Sequence, residues 1–119
     1  MPSGRQALGT RGETLAARWY VEQGYEVVAR NWRTRQGELD LVLRRGAEIV
    51  FCEVKARQGT GYGSPAEAVT PHKQRRVRAT AVAFLHQWPD KSGEAKARSV
   101  RFDVACVIGR SVEVIESAF

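Results

Sequence analysis

The chain has 119 residues, 43% hydrophobic and 27% charged, a composition that suits one globular domain (5–117) and excludes a disordered or low-complexity chain. Its nineteen Lys and Arg against thirteen Asp and Glu leave a formal charge of +6, which favours a polyanionic partner, nucleic acid foremost. No apolar run approaches the ~20 residues of a membrane span, and Met1-Pro2-Ser3-Gly4-Arg5-Gln6 has no hydrophobic core for a signal peptide, so a cytoplasmic protein is expected.

From about Gln6 to Gln23, the residues Leu8, Leu15, Ala16, Trp19 and Tyr20 recur at helical spacing, and Gly24 follows as a stop. Glu13 falls at the edge of that apolar face. It reads either as a solvated carboxylate paired with Arg18 or Arg5, or as an acid aimed at a site elsewhere. Tyr25 to Arg33, with Val27, Val28 and Trp32, reads as a first strand. Arg30, Arg33 and Arg35 then surround the turn at Gly37.

Gly37-Glu38-Leu39-Asp40-Leu41-Val42-Leu43 and Glu48-Ile49-Val50-Phe51-Cys52-Glu53-Val54-Lys55 have strand period, and Gly46-Ala47 between them suits a two-residue type II′ turn. Pairing Arg45 with Glu48 then sets Val42 opposite Phe51, Asp40 opposite Glu53 and Glu38 opposite Lys55. Directly opposed Cβ atoms lie roughly 4.5–5.5 Å apart. Two carboxylates at about 4 Å and an effective dielectric near 20 repel by on the order of 4 kcal/mol. Such a pair needs a shared proton, solvent exposure or a cation, and a hard divalent ion with oxygen ligands is the most economical answer. The same alternation predicts Leu39, Leu41 and Leu43 on one face with Val50, Cys52 and Val54, and Val42, Ile49 and Phe51 on the other. A sheet apolar on both faces calls for helices on both sides.

Ala56 to Ser64, with Gly59, Gly61 and Gly63, reads as a loop, and it lacks the Lys-Ser/Thr of a phosphate loop. Thr70-Pro71 opens a helix whose stripe of Val77, Ala81, Phe84, Leu85 and Trp88 runs to Pro89. Its other side carries His72, Lys73, Arg75, Arg76 and Arg78, a solvated face or a stripe for a phosphate backbone. After a polar loop from Pro89 to Arg98, Val100 to Ile108 reads as a fourth strand. Gly109-Arg110 then turns into a short fifth, Val112 to Ile115. Cys52 and Cys106 lie in apolar runs and read as buried free thiols of a reducing compartment; with two distant histidines they make no zinc pattern. The predicted order is α-β-β-β-α-β-β, the second helix being the crossover that a parallel pair requires.

Acid-x-Lys is weak alone and occurs twice. Glu94-Ala95-Lys96 lies in a polar loop without a partner acid, whereas Glu53-Val54-Lys55 ends an apolar strand and shares a face with Asp40. An Asp on one strand and Glu-x-Lys on the next resemble the PD-(D/E)xK nuclease superfamily. The helical Gly9-x-x-x-Glu13, Gly37-Glu38-Leu39-Asp40, Glu53-Val54-Lys55, Ser64-Pro65-Ala66-Glu67-Ala68-Val69-Thr70-Pro71 and Arg101-Phe102-Asp103-Val104 more closely resemble the bacterial YraN family, itself similar to the archaeal Holliday-junction resolvases. One departure is Leu39 where the superfamily name has Pro.

The resemblance implies an α/β, restriction-endonuclease-like fold, with a mixed sheet and an α-β-β-β-α-β core flanked by helices. It implies a metal-dependent endonuclease acting on DNA, branched DNA included, with RNA the lesser expectation. Asp40, Glu53 and the Val54 carbonyl would hold Mg²⁺ or Mn²⁺. Lys55 would orient the attacking water and offset charge in the transition state, and Glu13 would complete the catalytic set. Arg33, Arg35, Arg57, Lys73, Arg75 and Arg76 are the expected nucleic-acid contacts. Symmetric cutting by resolvases extends the analogy to a homodimer. Asp103 is expected to pair with an arginine in a structural role, and Glu38 with Lys55 would form a surface ion pair if the site carried no chemistry. The alternative function is a nucleic-acid-binding protein of this fold without turnover.

Overall fold

A computed structural model of the chain describes residues 4–57, 69–88 and 99–119, with side chains from residue 10 onward. The helical spacing of Leu15, Ala16, Trp19 and Tyr20 builds α1 (Gly4–Glu22). Its end is a Schellman turn: Gly24, at φ 91°, donates to the Val21 carbonyl and Tyr25 to the Tyr20 carbonyl, both at 3.0 Å. The Tyr20 and Tyr25 rings meet edge to face across that turn, 5.4 Å between centroids. The chain continues through β1 (Glu26–Thr34), β2 (Gly37–Arg45), β3 (Glu48–Arg57), α2 (Pro71–Gln87), β4 (Ser99–Ile108) and β5 (Ser111–Ile115). This is the expected order. Thr70 caps α2 by accepting the Lys73 N–H at 3.2 Å, with Pro71 at the first position.

The five strands form one sheet in the order β1-β2-β3-β4-β5. β3 and β4 pair in parallel, and every other neighbouring pair is antiparallel. Gly46, at φ 61°, turns β2 into β3 and sets Arg45 opposite Glu48 and Val42 opposite Phe51, as the type II′ register requires. β3 runs beyond its expected end, since Ala56 and Arg57 pair with Val107 and Ile108. The rest of the predicted glycine loop, and Glu94-Ala95-Lys96, lie outside the described residues.

Each face of the sheet carries one helix. Under α1, Ala16, Ala17 and Tyr20 pack on Leu41, Leu43, Val50, Cys52, Ala105 and Val107. Under α2, Val77, Ala81 and Phe84 pack on Val42, Ile49 and Phe51. Cys52 and Cys106 are free and buried. Leu39 departs from expectation, packing with the α2 cluster rather than beside Leu41 and Leu43. The alternation along β2 is thus interrupted between Leu39 and Leu41, beside Asn31 of β1 at φ 51°, and Leu39 lies with its pairing partner Trp32 on the α2 side. The result is an α/β fold with a five-stranded mixed sheet between two helices. Among the described residues, no helix is long and apolar enough to cross a membrane.

Candidate functional site

The β2–β3 ladder stops at the pair Leu41–Cys52. Continued, it would set Asp40 against Glu53 and give the Val54 N–H to the Leu39 carbonyl. Instead the strands part, and the Val54 N–H donates to Asp40 Oδ2 at 2.9 Å. The Asp40 N–H in turn stabilises the Glu53 carboxylate. The two acids thus meet where the ladder has ended, with Asp40 held by the Val54 backbone, rather than as the ladder pair that the register predicts. The expected Glu38–Lys55 pair gives way to another: Glu38 binds Arg33 across the β1–β2 edge, Oε2 to Nε 2.9 Å.

Glu53 is 3% exposed, and its charge is met from α2, where Lys73 Nζ stands 3.6 Å from Oε1. Burial, then the neighbouring Asp40, pushes the Glu53 carboxyl up to about 7, against the pull of Lys73 and Lys55. Burial also raises Asp40, opposed by the Val54 N–H and helped by Glu38. Lys55 is lowered to about 8, by burial first and then by Lys73 beside it. On Lys73 burial acts downward, but a hydrogen bond donated to Lys55 and the charges of Glu53 and Asp40 outweigh it and the group is raised. The two lysines are thus pushed in opposite directions, Lys55 toward the neutral amine and Lys73 toward the cation. Sequence reasoning placed Lys73 on an outer stripe of the helix; the capped first turn of α2 points it into the acid pair instead.

Glu13 reaches this region because α1 crosses close over the end of β3. A Cβ at Gly12 would stand 2.9 Å from the Ala56 Cβ, so only glycine permits the approach. Arg18 is not among the partners of Glu13, and the Arg5 side chain lies outside those described. Asn31 Nδ2 donates to Glu13 Oε2 at 2.7 Å, and Arg30 Nη2 lies 3.8 Å away. Burial raises the Glu13 carboxyl, countered by the Asn31 hydrogen bond and reinforced by the charge of Asp40. Glu13 therefore senses the acid pair electrostatically, and no hydrogen bond among the described residues joins it to either member.

A groove of about 400 Å³ opens over Asp40 and Glu53, lined also by Arg33, Thr34, Lys73, Arg76 and Thr80. Of the expected nucleic-acid contacts, Arg33 and Arg76 stand on its walls and Lys73 on its floor. Arg35 and Arg75 are exposed outside the lining, and Arg57 is half-buried at the end of β3. Among the described residues, no group of three or more His, Cys, Asp or Glu side chains is disposed to hold a metal ion. The carboxylates of Asp40 and Glu53 are the pair that could hold one. Both are hard oxygen donors, close enough for the charge of Asp40 to raise the Glu53 carboxyl. A Mg²⁺ or Mn²⁺ ion needs no more than one or two carboxylates when water and substrate oxygens complete its shell.

Asp103 is structural, as expected. Fully buried, it takes Arg101 Nε at 2.8 Å and Nη2 at 2.9 Å, the Tyr20 hydroxyl at 2.6 Å and the Ser117 N–H at 3.0 Å. This ties α1 to β4 behind the acid pair. Sequence reasoning missed Asn31, Gly12 and the inward role of Lys73. An asparagine inside a strand is out of place by propensity, and that was a readable signal; the other two depend on tertiary approach.

The residues that make this arrangement lie within a stretch that matches a known family. The model of the Uncharacterised protein family UPF0102 fits residues 12–107. A UPF0102 protein of Rhodococcus jostii strain RHA1 is 52% identical over 118 residues, 95% of this chain and 96% of the relative. One from Acidothermus cellulolyticus is 43% identical over 127 residues, covering 98% and 96%, and one from Frankia alni is 50% identical over 103 residues, covering 87% and 82%. With the family model running from Gly12 past Asp103 and these relatives aligned over nearly their whole length, the chain belongs to the UPF0102, or YraN, family.

Proposed function

We propose that the chain is a Mg²⁺- or Mn²⁺-dependent endonuclease of restriction-endonuclease-like fold that hydrolyses phosphodiester bonds in DNA, branched DNA included. The observation that carries this reading is a groove lined by Asp40, Glu53 and Lys73 together with Arg33 and Arg76, with the half-buried Lys55 close enough to the two acids to feel their charge. A basic groove over a close acid pair suits a polyanion delivered to a cation site. The order α-β-β-β-α-β, with the acids at the diverging end of β2 and β3, supports the fold assignment.

Asp40 and Glu53 would hold the divalent ion, which supplies an activated water and a positive charge beside the scissile phosphate. Lys55, strand-borne and half-buried, would orient that water and offset charge on the phosphoryl oxygens in the transition state. Arg33 and Arg76 would hold the phosphate backbone across the groove. Glu13, linked to the acid pair through its charge, would tune the site from the α1 side. Two copies of the chain would serve symmetric cutting of a junction.

The test is cleavage of labelled branched, duplex and single-stranded DNA, and of RNA, by wild type and Asp40→Asn in Mg²⁺ and in Mn²⁺. Metal binding is followed in parallel by calorimetry, and the oligomeric state by sedimentation. Cutting and metal binding that are both lost in the variant sustain the proposal. The Lys73–Glu53 ion pair favours a second reading, a nucleic-acid-binding module whose acid pair is neutralised by lysine. DNA bound with neither metal taken up nor any strand cut would decide for that module.

A further inference from the structure

We infer that Lys73 is a resident counter-cation of the acid pair, which holds Glu53 and Asp40 in the metal-free protein and must withdraw for a divalent ion to enter. The inference rests on the proposed metal site and assigns it a residue that competes with the ion.

Charge counting supplies the first argument. The groove lining holds two carboxylates, Asp40 and Glu53, and one amino group, that of Lys73, while Lys55 is half-buried outside the lining. The Lys73 ammonium already stands against Glu53, and a divalent ion would bring two further positive charges to the same carboxylates. One amine has to leave. Lys55 is carried by β3, whose backbone is paired with β4 at Cys106, and its side chain is half-buried. The Lys73 side chain is 40% exposed, with a route to solvent along the groove.

Distance supplies the second. Lys73 Nζ lies 3.6 Å from Glu53 Oε1, longer than the ~2.7–2.9 Å of a close charge-assisted hydrogen bond. The contact is an electrostatic one, made by a flexible four-carbon stem rather than a locked fork. Only the backbone of Lys73 is fixed, through the Thr70 cap. A smaller, doubly charged ion can therefore take the place of the ammonium without rebuilding the helix. The displaced amine would then sit toward Arg33 and Arg76, where it adds a third cation to the wall that meets a phosphate backbone. Metal and polyanion would thereby favour each other's binding, as linkage requires when both draw one group to the same position.

The experiment titrates Mn²⁺ alone into the full chain by calorimetry, comparing wild type with Lys73→Met and Lys73→Arg, and records melting curves with and without Mn²⁺. Removing a partly solvent-screened cation next to the ion is expected to tighten Mn²⁺ binding by about tenfold in Lys73→Met. The same variant should melt lower than wild type without metal and show a larger Mn²⁺-induced rise in Tm. Lys73→Arg, which keeps the charge, should bind within about threefold of wild type. Lys73→Gln retains a donor to Glu53 without the charge, and serves if the methionine variant fails to fold. Equal or weaker Mn²⁺ binding by the uncharged variants, with wild type binding normally, overturns the role of Lys73 and leaves the metal site intact. No binding by any of the proteins overturns the metal site itself, and this inference with it.

Discussion

The Asp40 carboxylate accepts the Val54 N–H at 2.9 Å, standing in for the Leu39 carbonyl at the point where β2 and β3 separate. One side chain thus both ends the ladder and lies at the groove floor. That double duty explains how a carboxylate can be kept beside Glu53, since a backbone N–H offsets part of the repulsion.

Replacing Asp40 should separate these duties. Asp40→Asn keeps an acceptor for Val54, relieves the repulsion from Glu53, and should change stability by less than ~1 kcal/mol. Asp40→Ala strands a half-buried N–H and should cost about 1–3 kcal/mol in urea denaturation. Equal stability of the two variants would show that the Val54 hydrogen bond contributes nothing.

The metal-free protein should lose stability as pH rises from about 4.5 to 7. Glu53 is raised from 4.5 to about 7 in the folded chain, so across that window the folded state holds a proton that the unfolded state has released. Stability then falls with pH: the Glu53 contribution, on the order of 3 kcal/mol in total, is fully present below the unfolded value and lost above the folded one. Urea midpoints from pH 4 to 8 measure this. Glu53→Gln should flatten the profile over that window, and a wild-type slope retained in the variant would assign the proton elsewhere.

Much of the fold was legible because each element announces itself locally. Thr70-Pro71 marks the start of α2, Gly46-Ala47 sets the hairpin register, and Gly24 ends α1. The pairing of Asp40 with Glu53 followed from that register, although the ladder breaks before reaching them. Leu39 went to the wrong face because the alternation along β2 is interrupted between Leu39 and Leu41, beside the left-handed Asn31, where sequence treats it as unbroken. Lys73 was misplaced for a different reason. A basic residue in a helix's first turn looks solvated until the sheet beneath it is known to hold an unpaired acid. Asn31 as the partner of Glu13 required knowing how α1 crosses β1, which no local pattern encodes.

The close crossing of α1 over β3 predicts a size-dependent rescue. Gly12→Ala brings a methyl group 2.9 Å from the Ala56 Cβ, and should cost about 1–3 kcal/mol despite the better helix propensity of alanine. Ala56→Gly alone loses a methyl contact and some strand propensity. Combined, the two should be less destabilising than the sum of the single variants by about 1 kcal/mol or more, the coupling expected of groups in contact. Additive losses in a urea double-mutant cycle would mean that the helix shifts freely over the strand.

The Tyr20–Asp103 hydrogen bond gives the sharpest stability prediction. Asp103 is fully buried, and its charge is shared among Arg101, Tyr20 and the Ser117 N–H. Tyr20→Phe removes one donor to a charged acceptor and should cost about 1.5–3 kcal/mol. Asp103→Ala strands the Tyr20 hydroxyl and the Ser117 N–H and takes the bidentate partner from Arg101, so about 3–5 kcal/mol is expected. Because Arg101 also reaches Glu48 at 3.3 Å and Glu116 at 3.8 Å, it keeps two counter-charges, which should hold the loss toward the lower end. Once Asp103 is alanine, Tyr20→Phe should cost much less than in wild type, and may be scored directly from urea midpoints. An undiminished cost would show that the hydroxyl stabilises α1 by some contact other than this carboxylate.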